Sequence, residues 1–205
     1  AGTPLTAIEA ALAQHNQILG FEPPQFGPGA TLGGTIACGL SGPRRPYAGA
    51  ARDFVLGARV INGRGQILKF GGQVMKNVAG FDASRLMAGS LGTLGVILEV
   101  SLKVVPRPAT EITLGFDMPA ADAIRDMNTW AGRPLPLSAA AHRGNTLYIR
   151  LAGTESAVGA ARAHLGGELI DDGGRFWSEL REHRHGFFRT DRPLWRLSVP
   201  AAAPP

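Results

Sequence analysis

Apolar and polar positions alternate most strictly between Val96 and Val104. Val96, Leu98, Val100, Leu102 and Val104 interleave with Glu99, Ser101 and Lys103, and only Ile97 breaks the rule. A side-chain period of two sends alternate residues to opposite faces, so this run predicts a half-buried strand. Near the start the period changes. Thr6-Ala7-Ile8-Glu9 has the Ser/Thr-x-x-Glu form of a helix capping box, and Ile8, Ala11, Leu12, His15 and Leu19 follow at helical spacing. That predicts a helix to about residue 16. From Pro23-Pro24 to Gly49 no periodicity holds, and the stretch reads as loop. Phe54 to Ile61 and Gln66 to Phe70 then read as a hairpin across the tight turn Asn62-Gly63-Arg64-Gly65.

The pattern resets at Pro106-Arg107-Pro108, which ends the long strand and predicts a boundary between two units, 1–108 and 109–205. The second unit reads β-α-β-β-α-β. Its elements are a strand at Glu111 to Phe116, a helix at Pro119 to Ala131, a hairpin of Leu137 to His142 with Thr146 to Leu151, a helix at Ser156 to Leu165 and a strand at Glu168 to Ile170. This order is that of the split β-α-β, ferredoxin-like motif. A further helix is predicted from Phe176 to His185. The fold class is therefore α+β.

Charge adds less than it first suggests. The net charge of +5 comes from 21 basic residues, 18 of them arginine, spread from Arg44 to Arg196. No window stacks them, and the densest stretch, Arg175 to Arg196, also holds Glu179, Glu182 and Asp191. It reads as the solvated face of an amphipathic helix, with no nucleic-acid partner implied. No apolar run approaches the roughly 20 residues that a membrane-spanning helix needs. The single cysteine, Cys38, rules out an internal disulfide framework and is expected to be a small buried filler.

Glycine changes the picture more. It accounts for 28 of 205 residues, and 16 of these fall between Gly27 and Gly95. Such a cluster either makes the tight turns of a β-rich protein or lets backbone N–H groups approach a ligand such as a pyrophosphate. Familiar nucleotide fingerprints are missing. In Gly27-Pro28-Gly29-Ala30-Thr31-Leu32-Gly33 the third glycine comes one residue late for GxGxxG, and Lys76 lacks the glycine of a Walker loop. His183-Arg184-His185 reads as a solvated pair, with no metal expected, and no nucleophile elbow or Cys-His pair is present.

Four motifs in order nevertheless carry a resemblance. They are Gly29-Ala30-Thr31-Leu32-Gly33-Gly34, Ala48-Gly49 with Asp53-Phe54-Val55-Leu56-Gly57, Lys76-Asn77-Val78-Ala79-Gly80-Phe81-Asp82, and Gly89-Ser90-Leu91-Gly92-Thr93-Leu94-Gly95-Val96-Ile97. The chain resembles the second half of the FAD-binding domain in the vanillyl-alcohol oxidase/p-cresol methylhydroxylase (PCMH-type) flavoprotein family. Gly39-Leu40-Ser41-Gly42-Pro43-Arg44-Arg45 and Phe70-Gly71-Gly72-Gln73-Val74-Met75-Lys76 are similar to the FAD-binding subunits of bacterial glycolate oxidases within it.

The resemblance implies that residues 1–108 are the second subdomain of that domain. Residues 109–205 would be part of a substrate-side cap, and a phosphate-loop subdomain would precede Ala1. It further implies a noncovalent FAD touched by Gly29, Ala30, Thr31, Leu32, Gly33 and Gly34, by Ser41 and Gly42, by Gly80, and by Gly92, Thr93, Gly95 and Val96. These 205 residues alone are expected to hold FAD weakly or not at all. Asp53 is expected to satisfy its own loop. Catalytic residues are not assigned, and Arg44, Arg45 and Arg52 fit a substrate carboxylate, a phosphate or solvent equally. The implied activity is FAD-dependent oxidation of glycolate or another small 2-hydroxy acid. The implied partners are a paralogous flavin subunit and an iron-sulfur subunit, placed in the cytoplasm or against the inner membrane through the complex. The alternative is an assembly or scaffold piece that does not retain FAD.

Overall fold

The computed structural model describes residues 1–73 and 81–205. It divides into two compact units, Ala1–Arg107 and Pro108–Pro205. Both mix helices with antiparallel sheet.

The first unit runs α1 (Leu5–Gln14), β1 (Gln17–Ile18), α2 (Leu32–Cys38), α3 (Arg45–Ala48), α4 (Ala51–Phe54), β2 (Val55–Ile61), β3 (Ile67–Gly71), α5 (Ala83–Leu86), β4 (Val96–Leu102) and β5 (Val105–Pro106). Strands order as β3-β2-β4, and β1 pairs with β5 through Ile18 and Val105. The core gathers Leu5, Leu19, Phe21, Ile36, Ala51, Phe54 and Val55, with Ile97, Val100 and Leu102 of β4 packed against them. Each such side chain contributes about 1.5–3 kcal/mol on leaving water.

Several expectations need correcting here. The capping box does not form. Leu5 is fully buried and its N–H donates to the Ala30 carbonyl, so α1 starts upstream with Pro4 at its cap and Thr6 already inside it. Glu9 instead accepts from Gln25 Nε2 at 2.7 Å. The expected loop between Pro23 and Gly49 contains α2 and α3. In β4 the register shifts between the Arg59↔Glu99 and Val60↔Ile97 pairs, leaving Leu98 as an extra residue. That bulge brings Ile97 onto the side of Val100, which is why Ile97 breaks the alternation.

The hairpin of β2 and β3 turns where its glycines predict. Asn62 Oδ1 accepts from the N–H groups of Arg64 and Gln66, and Gly65 sits at φ +74°. That positive φ is open to glycine at no steric cost.

The second unit runs β6 (Thr110–Asp117), α6 (Ala120–Ala131), β7 (Leu137–Arg143), β8 (Thr146–Gly153), α7 (Glu155–Leu165), β9 (Glu168–Leu169) and α8 (Gly173–Arg181). Its antiparallel sheet is ordered β7-β8-β6-β9. Alternation along β8 turns Leu147, Ile149 and Leu151 to one face, where they meet Leu114, Ala123, Val158 and Ala161. Thr113, Tyr148 and Arg150 occupy the other face, and α8 covers it. Trp177 Nε1 donates to Thr113 Oγ1 at 2.9 Å, and Phe176 stacks on Tyr148 with ring centroids 4.2 Å apart.

α8 begins three residues before the predicted Phe176 and ends at Arg181, short of His185. At its start a β-carbon on Gly173 would overlap Thr113 Oγ1, so only glycine lets the helix approach the sheet. At its end the N–H groups of Arg184 and His185 both turn back to the Glu179 carbonyl. His183 stacks on Phe188, while His185 is buried, edge-on to Phe176, and accepts from the Phe187 N–H through Nδ1. Both imidazoles therefore have structural contacts within this corner.

Candidate functional site

The site grows out of α2, a seven-residue helix that carries Gly33 and Gly34 in its first turn. Three local features hold it. Thr31 caps its start, with Oγ1 accepting from the Gly34 N–H at 3.2 Å. Ile36 and Thr35 are buried on its inner face. Gly39, at φ +65°, ends it in a Schellman motif: Gly39 N–H donates to the Ile36 carbonyl and Leu40 N–H to that of Thr35. A non-glycine residue would have to adopt the left-handed conformation there at a cost of about 1 kcal/mol or more.

The segment Ala1 to Leu5 runs against the start of α2. Leu32 N–H donates to the Thr3 carbonyl at 3.0 Å, and Gly33 N–H donates to that of Ala1 at 2.7 Å. A β-carbon on Gly33 would come within 2.6 Å of Ala1 Cβ, so this glycine serves chain packing. The amides of Leu32, Gly33 and Gly34 thus already have acceptors inside the chain. What remains bare is the surface: Gly29 has nothing within 4 Å of a built β-carbon, and Gly34 is exposed.

The far end of α2 receives the Gly89–Gly95 turn. Gly89 N–H donates to the Ile36 carbonyl at 2.9 Å and Leu91 N–H to the Ala37 carbonyl at 2.8 Å. Gly39 and Gly89 meet so closely that a β-carbon on Gly39 would lie 3.2 Å from Gly89 Cα. Two motifs 50 residues apart in the sequence, at Gly39 and Gly89, are thereby clipped together. Beyond the clip the turn is held by Ser90, whose carbonyl accepts from both the N–H and the hydroxyl of Thr93. Gly92 at φ +79° lies in open space, whereas Gly95 at φ +145° presses on the Ile61 carbonyl. Leu91, Leu94 and Val96 point outward and are 70%, 45% and 63% exposed.

After α2 the chain passes through Ser41 and Gly42. Ser41 Oγ accepts from the Ala51 N–H at 2.9 Å, and Gly42 N–H donates to the Phe21 carbonyl at 2.9 Å. Asp53 Oδ2 accepts from the Ala50 N–H at 2.8 Å, the bond expected of it. Arg44 pairs with Glu22 at 3.9 Å. Burial pushes the Tyr47 phenol up, so it stays protonated. Asp82 caps α5; a hydrogen bond from the Ser84 hydroxyl, with the Arg85 N–H and guanidinium, holds its carboxyl below the usual range. Gly80, and the motif from Lys76 up to it, lie outside the described residues.

Cys38 is exposed, contrary to the expectation of a buried filler. The inward face of α2 is taken by Thr35 and Ile36, and Cys38, the last helical residue, shares the outer face with Gly34. Sequence reasoning also passed over Gly39, Gly89 and Ser90. All three lie inside the recognised motifs, but Gly39 and Gly89 make a contact between motifs and Ser90 braces its own turn, which spacing alone does not reveal.

Residues 1–71 match the model of a family described as FAD binding domain. The glycolate oxidase subunit GlcE of Escherichia coli strain K12 is 52% identical over 203 residues, covering 99% of this chain and 57% of that protein. Over residues 1–71 the chain is thus similar to this FAD-binding family. A second relative, the glycolate oxidase subunit GlcD of Bacillus subtilis strain 168, is 44% identical over 85 residues, which cover 42% of this chain and 18% of that protein. The chain thus spans a little over half the length of the Escherichia coli relative. Among solved structures, an alkyldihydroxyacetonephosphate synthase superposes with a TM-score of 0.61 at 20% identity, covering 87% of this chain and 43% of that one. That likeness concerns the fold alone. Among the described residues no helix is long and apolar enough to cross a membrane, and no cluster of His, Cys, Asp and Glu is suited to hold a metal ion.

Proposed function

We propose that this chain is the FAD-binding part of a subunit of a glycolate oxidase, or of an oxidase for a closely related small 2-hydroxy acid. The observation that carries the reading is the 52% identity to a glycolate oxidase subunit along 99% of the chain. The geometry is compatible with it. A flavin dinucleotide needs backbone that β-carbons do not cover, and Gly29 and Gly92 offer it, beside the exposed Gly34. Ala30 to Gly34, Ser41, Gly42, Thr93, Gly95 and Val96 would flank the cofactor, with Gly80 completing the set. Since the amides of Leu32 and Gly33 are engaged by Thr3 and Ala1, those two residues would contribute position and shape and leave hydrogen bonding to others.

In this reading residues 1–108 are the second subdomain of a PCMH-type FAD domain, and residues 109–205 are part of a ferredoxin-like substrate-side cap. FAD, when bound, accepts the electrons released as the hydroxy acid becomes a keto or aldehyde acid. The protein would work with a paralogous flavin subunit and an iron-sulfur subunit, in the cytoplasm or against the inner membrane through that assembly. The relatives named as glycolate oxidase subunits support a multi-subunit setting.

Activity tests this reading. Glycolate-dependent reduction of an electron-accepting dye by the reconstituted complex is expected to fall to background when the full-length protein is left out. An undiminished rate without it would remove the reading.

A further inference from the structure

One face of the β3-β2-β4 sheet carries a groove of about 650 Å³ that takes no part in the FAD reading. Strand register lays out its floor. Lys69 of β3, Arg59 of β2 and Glu99 of β4 stand in one row across the strands, and Ser101 stands opposite Gly57 in the next row. These side chains share a face, because residues paired across strands, and residues two apart along a strand, point the same way. The opposite face is the apolar one, where Ala58 and Val60 pack with Met87, Leu68 and Phe70.

Glycine builds the end wall of the groove. Past β3, Gly71 at φ +63° turns the chain so that Gly72 lies over Gly57. A β-carbon on Gly57 would stand 2.6 Å from the Gly72 carbonyl oxygen, so any side chain there would push the wall away. The Gly72 N–H is fixed to the Leu56 carbonyl at 3.1 Å, and Gln73, which follows, lines the groove.

The polar groups inside are not balanced. Arg59 pairs with Glu99. Lys69, Gln73 and Ser101 make no hydrogen bond or ion pair among the described residues. A guanidinium also carries more N–H donors than one carboxylate oxygen can take. Donors therefore outnumber acceptors, and the positive excess lies towards β3, where Lys69 and Arg59 sit on strands about 5 Å apart. The geometry points to a binding groove for a small organic anion, with Lys69 and Arg59 on its carboxylate or phosphate and Gln73 and Ser101 as further donors. Glu99 tunes the site by drawing Arg59 towards β4 and repelling an anion from that side. Nothing in this assignment depends on FAD, which concerns α2 and the Gly89–Gly95 turn.

Titration of the full-length protein with inorganic phosphate and with malonate, at an ionic strength held constant with chloride, tests the assignment. Saturable binding of at least one probe is expected, read by calorimetry and as a Tm that rises with its concentration. The better-bound probe tells whether the ligand's anionic group is phosphate or carboxylate. Lys69→Gln is expected to weaken that binding about three- to ten-fold, and Lys69→Arg to keep most of it. Glu99→Gln should act in the opposite direction, tightening binding about two- to five-fold by releasing Arg59. Arg64→Gln removes a positive charge from the turn of the same hairpin, outside the groove, and should change affinity by less than about two-fold. Lys69, Glu99 and Arg64 are all exposed, so the unliganded variants should keep the wild-type Tm to within a few degrees. Absence of saturable binding for both probes would overturn the assignment, as would binding that Lys69→Gln leaves unchanged or Glu99→Gln weakens. Equal losses in Lys69→Gln and Arg64→Gln would also overturn it, since they report net charge alone. Each of these outcomes leaves the FAD reading where it stands.

Discussion

Replacing Trp177 by alanine is expected to cost the second unit about 4 kcal/mol, the range of large aromatic truncations in a core. Trp177 is 1% exposed and does three things at once. It fills the space between α8 and the sheet, donates its indole N–H to Thr113 Oγ1 at 2.9 Å, and lies beneath the Arg150 guanidinium, 5.1 Å from the ring centroid. Arg150 is 2% exposed and also meets Ser138 Oγ at 3.1 Å and Glu111 Oε1 at 3.8 Å. Removing the ring leaves a cavity beside a buried cation, and a buried charge that loses its surroundings is costly. Trp177→Phe keeps most of the packing and loses the N–H, so it should cost about 1–2 kcal/mol. Urea unfolding followed by circular dichroism checks both values. Equal losses for the two variants would contradict this division between packing and hydrogen bonding.

The second large effect is expected at Gly95. Its φ of +145° is open almost only to glycine, and a β-carbon there would stand 2.5 Å from the Ile61 carbonyl oxygen. Gly95→Ala therefore combines backbone strain of about 1–3 kcal/mol with a clash against main chain that cannot rotate away. A total loss of about 3 kcal/mol or more is expected. The damage falls where the turn joins β4, so the positions of Thr93 and Val96 should shift and FAD affinity should fall together with stability. Gly92 supplies the control. At φ +79° with open space around it, Gly92→Ala meets strain without collision and should cost only about 1 kcal/mol. Thermal unfolding of the two variants should rank Gly95→Ala well below Gly92→Ala; the reverse order would contradict the packing described here.

Legibility in the sequence followed the kind of information each element carries. Alternation in β8 was readable because Leu147, Ile149 and Leu151 share one buried face. The turn at Asn62 was readable because asparagine and glycine impose it locally. In β4 even the flaw was informative, since Ile97 marks the bulge at Leu98. α2 was not readable. Two of its seven residues are glycine, so propensity argues against a helix, which exists through the Thr31 cap, the Gly39 terminus and the burial of Ile36.

The candidate site was legible in part, by resemblance to motifs and not by their physics. Motif order suggested which glycines matter, but not what each one does. Gly33 packs against Ala1, Gly39 against Gly89, and Gly95 against Ile61, while Gly29 and Gly92 face open space. Arg150 shows the same limit on the other unit. On a strand pattern it marks an outward face, and only the arrival of α8 buries it. Cys38 was misjudged for a similar reason: a small apolar-like residue is usually inside, but its place on α2 is set by which face Ile36 takes.

In the proposed reading, α2 and the Gly89–Gly95 turn clipped to its end form part of an FAD site. Calorimetric titration of FAD into the full-length apoprotein, paired with thermal unfolding at each ligand concentration, tests it most directly. Saturable binding, with a Tm that rises with FAD concentration and a much weaker response in Gly95→Ala, is the predicted result. A wild-type protein that gives no binding heat, and whose Tm is indifferent to FAD, would contradict it.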